Sequence, residues 1–188
     1  SQVAEAAINA GASILNDTSG LRHDRGLVEL AKEYNLPIII LASEEGLIST
    51  PSTDTVISRV SNVLKESLEL AYNAGVTEDL VLDPGIGFFR GTGSGVELRD
   101  SRIPWYVWDS EVLKDLEFLR ELGRPICIGL SRKSFIGNIL NIDDPADRLY
   151  GSLAATAIAV FHGAHLIRTH DVAATVQAIK VAEAIRGK

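Results

Sequence analysis

The sequence predicts an α/β chain built on a parallel sheet, and three observations carry that prediction. Short apolar runs bounded by Gly, Pro or polar residues alternate with longer stretches whose apolar residues recur three and four apart. The order helix, strand, helix, strand persists from end to end, as it does where helices join parallel strands. Several of the apolar runs also close on polar residues capable of chemistry, and in parallel α/β architectures that edge is where ligands sit.

Taken in order, Ser1 to Ala10 is Ala-rich with helical spacing, and Gly11 ends it. A strand follows over Ala12 to Leu15. Asn16 and Asp17 stand at its end and Thr18 to Gly20 form a turn, where Asx residues ordinarily bond their own backbone. Gly26 to Tyr34 reads as a helix, Pro37 to Leu41 as a buried strand, and Ala42 to Thr55 as a polar loop. Val56 to Ala74 is a long amphipathic helix stopped by Gly75, and the strand Leu80 to Leu82 leads into Asp83. Gly85 to Pro104 is Gly-rich and without periodicity, so a mobile flap is expected there. Asp109 or Ser110 is expected to cap a helix running to Leu122, with Trp105, Tyr106 and Trp108 before it serving as packing.

The strand Pro125 to Gly129 delivers Ser131, Arg132 and Lys133 at its end, and Ser134 is placed to cap a short helix to Leu140. A lysine and a hydroxyl thus stand beside backbone N–H groups that favour anions. Ala146 to Phe161 is an Ala-rich helix able to pack closely. The strand Ala164 to Arg168 precedes His170, and Val172 to Ile185 closes the chain as a helix. Arg168 and His170, two apart on an extended segment, can face one side.

Composition narrows the function. With 188 residues and 46% hydrophobic content the chain can bury a core as a single domain, 1–188. The lone Cys127 excludes an internal disulfide framework and fits a reducing, cytoplasmic setting. A net charge of -7 argues against a nucleic-acid surface, though one Arg, one Lys and a helix N-terminus suffice for a phosphorylated small molecule. The apolar runs are strand-sized, far short of the roughly 20 residues that span a bilayer, so no membrane partner is expected.

Five segments read together resemble the pterin-binding enzymes of the dihydropteroate synthase family: ILNDTSG from Ile14, DPGIGF from Asp83, GLSRKSFIG from Gly129, GSLAA from Gly151 and RTHDV from Arg168. The resemblance implies a (β/α)8 TIM barrel of the pterin-binding type. Only five strands are legible where a closed barrel needs eight, and alignment to the family by motif implies that the first three are missing and that the chain is the C-terminal five β/α units of that barrel. An opening inside a helix and the lack of any methionine are read as signs that the start is not the native one or that residues are absent. The sequence departs from the family in LASEEG at the end of the second strand and in IPWYVWD, the latter more like archaeal relatives.

The resemblance further implies condensation of a pterin diphosphate with an arylamine and release of pyrophosphate. The arylamine is 4-aminobenzoate or, in archaeal relatives, a ribosylated aminobenzene phosphate. Lys133, Arg168 and His170 become the catalytic group; Asn16 and Asp83 hold the pterin amino edge; Phe88 with Ser131 or Ser134 borders the arylamine, beside Gly129. Asp17 is left as structural. Mg²⁺ would travel mainly on the diphosphate, with no protein metal site, and a homodimer is allowed for. Three alternatives stay open: a pterin-binding methyltransferase domain with a corrinoid partner, a Schiff-base aldolase using Lys133, and an inactive barrel fragment.

Overall fold

The computed structural model describes residues 1–43, 55–88 and 103–187. Helix α1 (Gln2–Asn9) leads to β1 (Leu15–Asp17), α2 (Arg25–Tyr34) to β2 (Ile38–Leu41), and α3 (Val56–Asn73) to β3 (Leu80–Asp83). Helix α4 (Trp105–Lys114) and a 3-10 helix over Leu116–Leu122 precede β4 (Cys127–Ile128). Then come α5 (Ser134–Leu140), a 3-10 turn at Pro145–Arg148, α6 (Leu149–Phe161), β5 (Leu166–Ile167) and α7 (Val172–Arg186). No helix among the described residues is long and apolar enough to cross a membrane.

All the strand pairings among the described residues are parallel. Strands β1, β2 and β3 lie side by side in that order, and β4 pairs with β5. One bridge between Leu82 and Ile126, with the Leu82 N–H donating to the Pro125 carbonyl at 2.9 Å, joins the two groups. The spatial order is therefore the chain order. A sheet wound in one direction, without the reversal of a doubly wound sheet, carries its right-handed crossovers on one side and forms part of a barrel wall.

Burial explains why the strands alternate as they do. Ile38, Ile40, Leu80 and Leu82 are almost wholly buried, as are Val60, Val63 and Leu64 of α3. The intervening row, Asn16, Ile39 and Val81, is in register across β1, β2 and β3 on the other face. Local signals fix the helix ends. Asp24 accepts from the Gly26 N–H at 3.0 Å, Thr55 caps α3 through the Ser58 N–H, and Asn35 closes α2 in the left-handed region.

Three expectations are corrected. Strand β1 is Leu15–Asp17 rather than Ala12 to Leu15, because the main-chain bond from the Leu15 N–H to the Pro37 carbonyl sets the register, drawing Asn16 and Asp17 into the sheet. Helix α4 starts at Trp105 behind Pro104, not at Asp109 or Ser110. Proline fits just ahead of a first turn, and the early start turns Trp108 and Val112 inward, where they are 1% and 0% exposed, with the Arg59 guanidinium over the Trp108 ring. The stretch to Leu122 then tightens into a 3-10 helix. The two loops expected over Ala42 to Thr55 and Gly85 to Pro104 fall largely outside the described residues.

Candidate active site

A cavity of about 600 Å³ opens at the C-terminal ends of the strands. From the β1 segment it takes Ile14, Asn16 and Thr18, and from β2 it takes Ile39. The loop after β3 adds Phe88, that after β4 adds Gly129, Ser131 and Lys133, and the end of β5 adds Arg168, Thr169 and His170. Seven of the residues singled out in the sequence therefore share one wall.

Lys133 is held between the loops after β3 and β4. Its Nζ lies 4.6 Å from the centre of the Phe88 ring. Gly87 sits at φ 79°, a left-handed conformation that favours glycine, and a Cβ there would stand 3.0 Å from the Lys133 Cδ, so the lysine would have to give way. Asp109 of α4, 2% exposed, accepts the Gly87 N–H at 3.1 Å and fixes that turn.

Between the two lysine-loop residues that face the cavity, Arg132 is turned the other way at φ 60°. Its N–H donates to the Ser152 hydroxyl at 2.9 Å, its carbonyl accepts from Arg148 Nη1 at 3.1 Å, and its guanidinium grips Asp171 at 2.8 and 3.2 Å. Three partners thus hold a backbone conformation that a non-glycine residue rarely adopts. The Arg132 bond holds the Asp171 carboxyl below the usual carboxylate range. One residue before each partner of that clamp, the Ser131 hydroxyl accepts the His170 N–H at 3.2 Å and lies 2.9 Å from His170 Nδ1.

Asp83 is placed differently from expectation. It is 2% exposed and is not among the residues lining the cavity; Arg168 stands in front of it. Asp83 Oδ1 accepts from the Gly85 N–H at 2.9 Å and Oδ2 from Arg168 Nη2 at 3.0 Å, while Arg168 Nη1 reaches Asn16 Oδ1 at 3.1 Å. Burial raises the Asp83 carboxyl above its ordinary range, opposed by the Gly85 N–H and by the charges of Arg168 and Lys133. Ser134 also departs from expectation. It is the first residue of α5, with Lys133 at the capping position, and it is not among the residues lining the cavity. Asp17 is structural, as read: its carboxylate accepts from Ser19 N–H and Oγ and from the Leu21 N–H at 2.8 to 3.0 Å.

Ile14, Thr18, Ile39 and Thr169 were not foreseen in the cavity wall. Alternation alone would have found two of them, since Ile14, Asn16 and Thr18 are spaced by two on an extended segment.

The wall joins apolar surface from Ile14, Ile39 and Phe88 to cations at Lys133 and Arg168, with no carboxylate among the described lining residues. Such a cavity, at the strand ends of a β/α barrel, has the position and the mixed apolar and cationic lining of a small-molecule site. Residues 1–170 match the family model described as pterin binding enzyme. The chain is 33% identical to the dihydropteroate synthase of Synechocystis over 98% of its own length, and it spans 60% of the length of that curated relative. It superposes with a TM-score of 0.83 and 33% identity on a Clostridium difficile dihydropteroate synthase solved in the presence of pteroic acid, covering 65% of that chain. Against a Thermus thermophilus dihydropteroate synthase in complex with 4-aminobenzoate the TM-score is 0.79 at 33% identity, with 98% of this chain and 67% of that one covered. The chain belongs to the pterin-binding enzyme family, and its fold is a part of that family's TIM barrel.

Proposed function

We propose that the site serves a dihydropteroate synthase-type condensation, in which a pterin carrying a methylene diphosphate is joined to an arylamine. The observation that carries this reading is the meeting of Asn16, Lys133, Arg168 and His170 on one wall, with Asp83 directly behind Arg168. Asp83 and Asn16 would accept the 2-amino and N3–H edge of the pterin, a donor pair that a carboxylate receives much as it receives an arginine fork. Lys133, lodged against Phe88, would donate to the O4 and N5 side.

Arg168 and His170 would meet the diphosphate oxygens. The bond from the methylene carbon to the diphosphate oxygen breaks, pyrophosphate leaves with the electron pair, the arylamine nitrogen bonds to the carbon, and its proton passes to solvent. A leaving group of such charge departs readily only into fixed cations and dipoles, so catalysis is mainly positioning and electrostatic stabilisation without a protein nucleophile. Mg²⁺, which dehydrates reluctantly, would be carried mainly on the diphosphate's own oxygens.

The Thermus relative's complex with 4-aminobenzoate supports that compound as the arylamine; it would enter beside Phe88 and Ser131 of the cavity wall. The exposed Ile158 and Phe161 on α6 support association with a second copy.

Lys133→Ala and Asp83→Ala should each remove measurable pterin binding by calorimetry, whereas Arg168→Ala should chiefly reduce affinity for the diphosphate. Equal losses for pterin and pterin diphosphate in Arg168→Ala would contradict the role given to it. A covalent adduct at Lys133 after borohydride treatment with a carbonyl substrate would overturn the condensation reading.

A further inference from the structure

Both acceptors on which a pterin's donor edge would depend are held by one side chain. Arg168 donates to Asp83 Oδ2 at 3.0 Å and to Asn16 Oδ1 at 3.1 Å, and the other Asp83 oxygen is taken by the Gly85 N–H. Its guanidinium lies over Gly129, where a Cβ would stand 3.2 Å from Nη2 and 3.3 Å from Nε, so the missing side chain makes room for this position. The Arg168 side chain is 45% exposed while that of Asp83 is 2% exposed, so the arginine can swing away and the carboxylate cannot follow.

We infer that Arg168 is a specificity-determining gate that masks Asp83 and Asn16, so that the site admits a donor edge and an anionic tail together far better than either alone. The inference rests on the pterin reading above. The two N–H groups of the pterin edge have the shape of a guanidinium fork, so Arg168 acts as an internal stand-in for the ligand. A pterin without a tail must break the ion pair and leave the arginine without its partner. Pyrophosphate alone must draw Arg168 away and leave a buried carboxylate unpaired, which is strongly unfavourable. A ligand bearing both features exchanges one fully paired arrangement for another. Pterins lacking the diphosphate are thereby selected against in favour of the activated form.

Linkage makes this measurable, because a shared gate couples the two half-ligands reciprocally. The probes are 6-hydroxymethylpterin and inorganic pyrophosphate, titrated calorimetrically alone and together. In the unaltered protein, saturating pyrophosphate should tighten the tailless pterin by about 5-fold or more, the lower end of ordinary coupling. In Arg168→Ala the coupling should vanish, pyrophosphate should bind more weakly, and the tailless pterin should bind at least as tightly as before. In Asp83→Asn, pyrophosphate should bind several-fold tighter than in Glu117→Gln, which removes the same charge from an exposed position on the 3-10 helix before β4.

Pterin binding without coupling, or weaker binding of the tailless pterin by Arg168→Ala, overturns the gate and leaves the pterin reading intact. An Asp83→Asn affinity for pyrophosphate no better than that of the Glu117→Gln control overturns it too. A protein that binds neither the tailless pterin nor its diphosphate overturns both.

Discussion

A carboxylate at the end of an apolar strand must find donors or give up its charge, and Asp83 meets that demand with the Gly85 N–H and the Arg168 guanidinium. Burial still dominates and raises its pKa, so the folded state holds the proton more firmly than the unfolded chain does. The sign follows. Stability falls as pH rises from the unfolded carboxylate value through the raised folded one, and is level above it. Asp83→Asn lacks this titration. Urea unfolding from acid to neutral pH should show the variant gaining on the unaltered protein by about 1.4 kcal/mol for each pH unit separating the two states' pKa values. A difference that stays flat across that range would show that Asp83 titrates alike in both states. The sequence marked Asp83, Lys133 and Arg168 as residues of one rim. The direct ion pair between Asp83 and Arg168 was not legible, because it depends on two residues 85 positions apart meeting across strand ends.

The turns after β3 and β4 act as units. Gly87 at φ 79° is tied to Asp109 and lies against Lys133, while Arg132 at φ 60° is held by Ser152, Arg148 and Asp171. Gly87→Ala should be destabilising by about 1–2 kcal/mol, the usual cost of a side chain in the left-handed region. It should also push Lys133 aside, so that pterin affinity falls by more than the loss of stability accounts for. Chemical denaturation beside calorimetric titration would separate the two effects, and intact affinity in a destabilised variant would show that the turn does not position the lysine. The GSLAA segment also finds its purpose at this scale. Ser152 orients the lysine loop, and Gly151 lets α6 approach Ile136, which a Cβ would meet at 2.4 Å. Neither use can be read from a motif, since both are contacts between separate helices and loops.

Across the whole molecule, stability rests on the layer between the sheet and α3, α4 and the 3-10 helix, where Leu64, Val112, Leu116 and Leu119 are at most 1% exposed and Trp108 sits among them. Trp108→Ala should be destabilising by about 3–5 kcal/mol in denaturant unfolding, the range for large aromatic truncations in a core. A loss below about 1 kcal/mol would place Trp108 outside the cooperative core. Cys127, buried in β4 with its thiol pushed up to about 11 mainly by that burial, should resist alkylation in the native protein.

The sequence by itself determined the parallel α/β class, the five strands and most helix boundaries, because hydrophobic period and capping residues act over a few neighbouring positions. It also marked most of the polar strand ends that meet at the cavity. Only the tertiary structure decided which of those ends face one cavity, that Ser134 does not, and that Arg168 covers Asp83. Such relations depend on which strand ends become neighbours and on long side chains reaching between them, contacts such as Asp83 to Arg168 that join residues far apart in the chain.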